Sequence, residues 1–304
     1  MGKLECKEIT KVYEDHRKAL DNVSFSVETN GIFGLIGRNG AGKTTLIRVL
    51  ATELEPTSGT ASINSNDILA DTDELREKIA IVPQEARAIR WMTPKQTVMS
   101  YLLWRGYPYK QANQLAIESL KKLKIEQYAD TLNSRLSGGT KRKVLIATVT
   151  ASEADIIFLD EPTTGLDPIS RRELWDILRD LGKDRFIFLT THYLDEAEQL
   201  ADRIGILKDG KLVSIGTLQD LRGSSKYQYS IKLPPKTRFP SLKDGEVVTS
   251  KSGYSQIMTN EVEAFRLARL LSEEGVKFSI TPVTLDDIFF SIVGQKMGTE
   301  NEAQ

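Results

Sequence analysis

The sequence predicts an α/β fold: a core built on a mostly parallel sheet, interrupted by a helical block at about residues 85–150, and followed by a small α+β domain over 222–304. Three observations predict it. Residues 37–44 read Gly-Arg-Asn-Gly-Ala-Gly-Lys-Thr between an apolar strand at 31–36 and a stretch of helical composition at 45–54; strand, glycine-rich loop, then helix is the setting of a phosphate-binding loop. Further short apolar runs at 79–82, 155–159 and 186–190 each end in a polar residue. Between the first and second of these, the apolar spacing changes from strand-like to helical.

The elements follow in order. Residues 3–10 alternate loosely and 23–28 (VSFSVE) alternate well, so both read as strands. Residues 61–63 follow the turn-rich 56–59 segment, and Pro83 stops the strand at 79–82. Spaced apolar residues predict helices at 101–104, 111–124 and 141–150, and another near 170–181. Strands at 203–207 and 211–214 flank Asp209-Gly210, a hairpin turn signal. A break at Gly223-Ser224-Ser225 opens the second domain, giving boundaries of 1–221 and 222–304. There, strands are expected at 227–233, 254–259 and 277–281, with helices at 261–274 and from Thr284, where Thr284-x-x-Asp287 reads as a capping box. Residues 298–304 read as a frayed tail.

Composition narrows the function classes. The 304 residues are 40% hydrophobic and 27% charged, with a formal net charge of −1. That balance argues against a nucleic-acid partner. The single cysteine, Cys6, excludes an intrachain disulfide and fits a reducing compartment. No apolar run reaches the length of a membrane span, and the N-terminal residues lack a signal-peptide core. A membrane connection must therefore come through another chain.

The candidate site assembles from strand ends. Ligands of open parallel sheets bind beyond the carboxyl ends of the strands. Here those ends carry the phosphate loop, Gln84, Asp160-Glu161 and His192. Gly37, Gly40 and Gly42 are expected to let the amides of Asn39, Gly40, Ala41, Gly42 and Lys43 wrap phosphates. Lys43 then reaches the β- and γ-phosphates, and the Thr44 hydroxyl ligates Mg²⁺. Asp160 suits the metal or its water, with Gln84 a further ligand, and Glu161 suits the attacking water's proton. Seen alone, Asp160 and Glu161 also fit a helix cap before Pro162, and His192 also fits a packing role. Ser137-Gly138-Gly139-Thr140 precedes a helix and makes a second anion-binding element, or a simple cap. Two such elements far apart in one chain suggest half-sites completed by a two-fold-related copy.

These motifs resemble those of ATP-binding cassette (ABC) ATPase subunits of membrane transporters, over residues 1 to about 220. The resemblance implies a P-loop NTPase core that binds ATP and Mg²⁺. By it, residues 37–44, with Thr45, match the Walker A loop; Gln84 the Q-loop; 136–140 the signature; 156–161 Walker B, with Glu161 the general base; 165–167 the D-loop, with Asp167 at the nucleotide; and His192 the switch histidine. Tyr13 falls where the family stacks an aromatic on adenine; it equally suits strand-edge packing. Thr140 departs from the family's usual Gln. The hairpin at 208–211 and the tail Pro282-x-x-Leu285-x-Asp287-x-Phe289 resemble the drug- and polysaccharide-exporter branch. The partners implied are a transmembrane permease subunit and a second ATPase chain, identical or homologous, and the location implied is the cytoplasmic face of the cell membrane. Trp91, Met92, Tyr101 and Trp104 cluster after Gln84 as a docking surface or as core. A soluble ABC ATPase acting on ribosomes or DNA is the competing reading. It is disfavoured by the single cassette, the absence of sustained heptads and the lack of excess positive charge. A regulatory module that hydrolyses poorly is a third, disfavoured by the intact Glu161 and His192.

Overall fold

A computed structural model describes residues 2–223, 227–234, 245–249 and 255–293. Ser224 and Ser225 of the expected break, Tyr254 and the tail from 298 lie outside the described residues. The chain forms two compact units, Met1–Ile215 and Gly216–Gln304.

The first unit opens with β1 (Lys3–Val12), β2 (Lys18–Glu28) and β3 (Ile32–Ile36), then α1 (Lys43–Leu50). Next come β4 (Ser58–Ile63), β5 (Asn66–Asp67), α2 (Thr72–Lys78) and β6 (Ile79–Val82). The helical block holds α3 (Pro94–Trp104), α4 (Tyr109–Lys122) and α5 (Gly138–Ala151). The remainder is β7 (Ile156–Asp160), α6 (Pro168–Leu181), β8 (Phe186–Thr191), α7 (Leu194–Leu200), β9 (Arg203–Lys208) and β10 (Lys211–Gly216). The second unit adds α8 (Leu218–Gly223), β11 (Tyr229–Leu233), β12 (Glu246–Thr249), β13 (Ser255–Thr259), α9 (Glu261–Glu273), β14 (Ser279–Pro282) and α10 (Leu285–Val293).

The central sheet has the order β10-β9-β3-β8-β7-β6. Strands β9, β3, β8, β7 and β6 pair in parallel, so the exits of β3, β6, β7 and β8 lie along one edge, as expected from the sequence. A strand buried on both faces reads as a continuous apolar run, and β7 and β8 show how the faces divide. Ile157, Leu159, Ile187 and Leu189 pack with the helical block, including Val98, Leu102, Ala116 and Val144. Ile156, Phe158, Phe186 and Phe188 face the other way, toward α1 and the antiparallel sheet β2-β1-β4-β5. There Phe33 stacks on Phe25 at 5.8 Å and meets Phe188 at 5.0 Å, joining the two sheets through one aromatic seam.

Local signals account for the boundaries. Asp209 and Gly210 both take positive φ (48° and 77°), the geometry of the tight hairpin turn between β9 and β10. Thr93 and Gln96 form a full capping box, with Pro94 at the first helical position, so α3 begins seven residues before the expected 101. In the second unit, Thr284 and Asp287 bond reciprocally as predicted. Its sheet, β12-β13-β11-β14, buries Ile231, Leu233 and Ile257 against Ala264, Leu267 and Leu271 of α9. α8 packs on α10 within this unit, which places its start at Gly216 where the sequence suggested 222.

Candidate active site at the sheet edge

The phosphate loop leaves β3 and enters α1 through Gly42, whose φ is 106°. A Cβ there would sit 2.4 Å from the Ala19 carbonyl oxygen, so only glycine fits. Gly37 differs from the expectation. It lies outside the positive-φ region, and its value is close approach, since a Cβ would meet the Leu207 carbonyl oxygen at 2.6 Å. Gly40 takes φ 81° in open space. The Ala41 amide donates to Arg38 O at 3.1 Å, inside the loop's own turn. Lys43 is buried and donates to Gly37 O (2.8 Å) and Arg38 O (3.2 Å). Burial pulls its pKa down, opposed by Glu161 and Asp160. Tyr13 contacts α1: its hydroxyl lies 3.2 Å from Thr45 Oγ1, and the Arg17 guanidinium sits over its ring at 5.0 Å.

Asp160 ends β7 in register with Thr190 of β8, and Glu161 follows it. Asp160 is buried and receives a hydrogen bond from the Thr190 hydroxyl. Burial pushes its carboxyl up, while bonds from Thr190 and Thr44 pull it down. Glu161 is the node where the other strand ends meet. Oε1 lies 3.4 Å from Lys43 Nζ. Oε2 lies 3.1 Å from His192 Nδ1 and accepts from Gln84 Nε2 (3.2 Å) and Thr164 Oγ1 (3.1 Å). The His192 approach is a close contact without hydrogen-bond alignment. Burial raises the Glu161 carboxyl, but His192 and Lys43 outweigh it and hold the pKa at about 2. The backbone of Glu161 is left-handed (φ 48°), which aims its carboxylate back across the strand ends.

The second anion-binding element is both a cap and an exposed helix N-terminus. Ser137 caps α5 by accepting from Thr140 N (3.1 Å), and its hydroxyl lies 2.9 Å from Thr140 Oγ1. The threonine in place of the family's Gln thus has a local role in the cap. Gly138 shares a cleft of about 770 Å³ with Gln84, Arg87 and Glu161. Asp167 is the N-cap of α6, accepting from Ile169 N and Ser170 N (both 3.0 Å) and from Ser170 Oγ (2.6 Å). Those bonds hold its carboxyl below the usual range, with Ser170 the largest influence.

Three contributors escaped the sequence reading: Thr164, Thr190 and Arg142. Thr164 and Thr190 carried a signal: Thr164 adjoins Gly165 of the D-loop match, and Thr190 lies two residues before His192. Arg142 carried no clear one, since α5 buries Lys143, Thr148 and Thr150 beside its apolar residues.

The donor set suits Mg²⁺. It offers the Thr44 hydroxyl, bonded to the Asp160 carboxylate, and the Gln84 amide, which are hard oxygen donors that leave room for water and phosphate oxygens. Among the described residues no cluster of three or more His, Cys, Asp or Glu forms a cage for a transition metal.

Comparison with known proteins gives the same picture. The sequence profile of the ABC transporter family matches residues 20–164. The chain is 38% identical to the daunorubicin/doxorubicin resistance ATP-binding protein DrrA of Streptomyces peucetius, over 73% of this chain and 67% of that protein. It is 32% identical to the daunorubicin resistance ATP-binding protein DrrA3 of Streptomyces coeruleorubidus, over 93% of both. Among solved structures, a dimeric ATP-binding cassette in a post-hydrolysis state with ADP and Pi matches with a TM-score of 0.65 and 28% identity, covering 71% of this chain and 98% of the other. The fold, the converging strand ends and these relatives agree: the chain belongs to the ABC transporter family, as an ATP-binding and ATP-hydrolysing subunit similar to the drug-resistance ATP-binding proteins.

Proposed function

We propose that two such chains close head to tail over two MgATP, and that the closure drives a separate transmembrane permease subunit for export. The observation that carries the reading is the Glu161 carboxylate, on which Lys43, Gln84 and His192 converge from three other strand ends. Lys43 leaves the Gly37 and Arg38 carbonyls for the β- and γ-phosphates. The amides of Asn39, Gly40, Gly42 and Lys43 cradle the same charge, with the α1 N-terminus behind them. Thr44, Asp160 and Gln84 would hold Mg²⁺, which would supply neutralisation of phosphate charge. Glu161, relieved of Lys43, accepts the proton of the attacking water, and His192 turns to the γ-phosphate. Tyr13 stacks on adenine once Arg17 moves aside. The α5 N-terminus at Ser137, Gly138 and Gly139 serves the other chain's γ-phosphate, and Asp167 fixes the neighbouring turn at that interface.

Trp91 and Trp104 are 77% and 83% exposed, so they are not core; Met92 and Tyr101 are half-buried. We assign these two exposed tryptophans to contact with the permease. Among the described residues no helix is long and apolar enough to cross a membrane. The assigned location is the cytoplasmic face of the cell membrane, held through the permease.

The composite site is tested by mixing two inactive variants. Lys43→Met disables a chain's own loop and Ser137→Arg disables what it lends its partner. A mixed dimer keeps one intact site, so combining them should restore on the order of a quarter of wild-type turnover, the statistical share for a two-fold assembly. No recovery, with mixed dimers shown to form, would overturn the head-to-tail arrangement.

A further inference from the structure

β7 ends at Asp160, and the chain reverses through the left-handed Glu161 into Pro162. At this reversal the buried carbonyls of Asp160, Glu161 and Pro162 need donors, and Glu161 O has one already in Thr164 N at 3.3 Å. All three are taken by one side chain. Arg142 Nε donates to Pro162 O at 2.7 Å, and Nη2 donates to Asp160 O at 3.1 Å and Glu161 O at 3.0 Å. Arg142 is buried, at 8% exposure. It sits one turn into α5, behind the Ser137 cap. A planar guanidinium presents its donors in a fixed fork, so it dictates where the carbonyls lie as well as satisfying them.

We propose that Arg142 is a positioning residue for hydrolysis: it clamps the left-handed turn so that the Glu161 carboxylate faces the reacting water, and it ties that turn to the signature end of α5. The inference rests on Glu161 as the base. The hydrogen bonds of Arg142 to the turn all go to main-chain oxygens, and its charge also acts on the Asp160 and Glu161 carboxylates, so Arg142→Lys, which keeps the charge, isolates the geometric effect. A shift of about 1 Å in a reacting group costs on the order of 10²-fold in rate.

The neighbouring Lys143 supplies the control. It is equally buried and on the same helix, but its ion pair goes to Glu173 of α6 at 2.7 Å. Lys143→Met therefore reports loss of α5 packing without loss of the clamp. The experiment measures ATP turnover, KM, fluorescent-nucleotide affinity and melting temperature for wild type, Arg142→Lys, Arg142→Gln, Lys143→Met and Glu161→Gln. A single ammonium or carboxamide nitrogen cannot span the three carbonyls. Both Arg142 variants should lose roughly 10- to 100-fold in kcat while KM and nucleotide affinity stay within about twofold. Lys143→Met should keep its kcat at an equal or larger drop in melting temperature. The proposal is overturned if folded Arg142→Lys and Arg142→Gln keep wild-type kcat, or if Lys143→Met loses kcat in proportion to stability as they do. Full turnover by Glu161→Gln would instead overturn the assignment of the base.

Discussion

Removing the Thr190 hydroxyl isolates one bond of the site. Thr190 is fully buried, and its hydroxyl donates to Asp160 Oδ1 and accepts from Glu161 N at 3.1 Å. The Glu161 amide has a second acceptor in Thr190 O, also at 3.1 Å, so it stays paired in Thr190→Val. The loss falls on Asp160, a buried carboxylate already pushed up by desolvation. A hydrogen bond to a charged group contributes about 1.5–3 kcal/mol, so about 2 kcal/mol is expected here. For a unit of this size each kcal/mol moves the midpoint by about 2–4 °C, giving a drop of about 4–8 °C. The penalty applies to the ionised form, so it should shrink as pH falls toward the range where Asp160 is protonated. Thr190→Ser keeps the hydroxyl and should recover most of the loss. Calorimetric melts of the three proteins at pH 8 and pH 5 decide the matter. Equal midpoints for Thr190→Val and wild type, or a Thr190→Ser as unstable as the valine variant, would refute the reasoning.

Other outcomes follow from the same geometry. Gly42→Ala forces a side chain into φ 106° against the Ala19 carbonyl, so it should destabilise by more than about 1 kcal/mol and abolish nucleotide binding in a fluorescence titration. Asp167→Ala removes a cap with three bonds, so it should lower the midpoint of denaturant unfolding; Asp167→Ser should recover part of it. Glu161 is held at about 2, below its ordinary 4.5, so its stabilising contribution is complete above 4.5 and lost as pH falls toward 2. Glu161→Gln should therefore show a shallower loss of stability across that window in acid unfolding.

Much of the site was legible because strand ends announce themselves. A short apolar run ending in a polar residue, as in IIFL before Asp160-Glu161 or FIFLTT before His192, needs no partner to be read. The parallel sheet then brings those ends together by topology. What the chain concealed was long-range pairing. Nothing local says that Arg142 reaches residues 160–162, or that Thr190 answers Asp160. Short elements were also hidden: α2 and α7 have seven residues each, too few to show a helical period. Asp167 before Pro168 carried a plain capping signal, since proline favours the first helical position. The family resemblance implies that carboxylate at the nucleotide; its bonds in the structure go to the α6 N-terminus. Gly37 shows that a glycine's reason can be misjudged even when its importance is not, because close approach to Leu207 leaves no trace in sequence.

The central claim is that Glu161 activates water in a site completed by a second chain. ATP turnover per chain, measured against protein concentration for wild type and Glu161→Gln, tests it most directly. The wild-type rate per chain should rise with concentration, and Glu161→Gln should bind ATP but barely turn over. A rate independent of concentration that survives Glu161→Gln would contradict the claim.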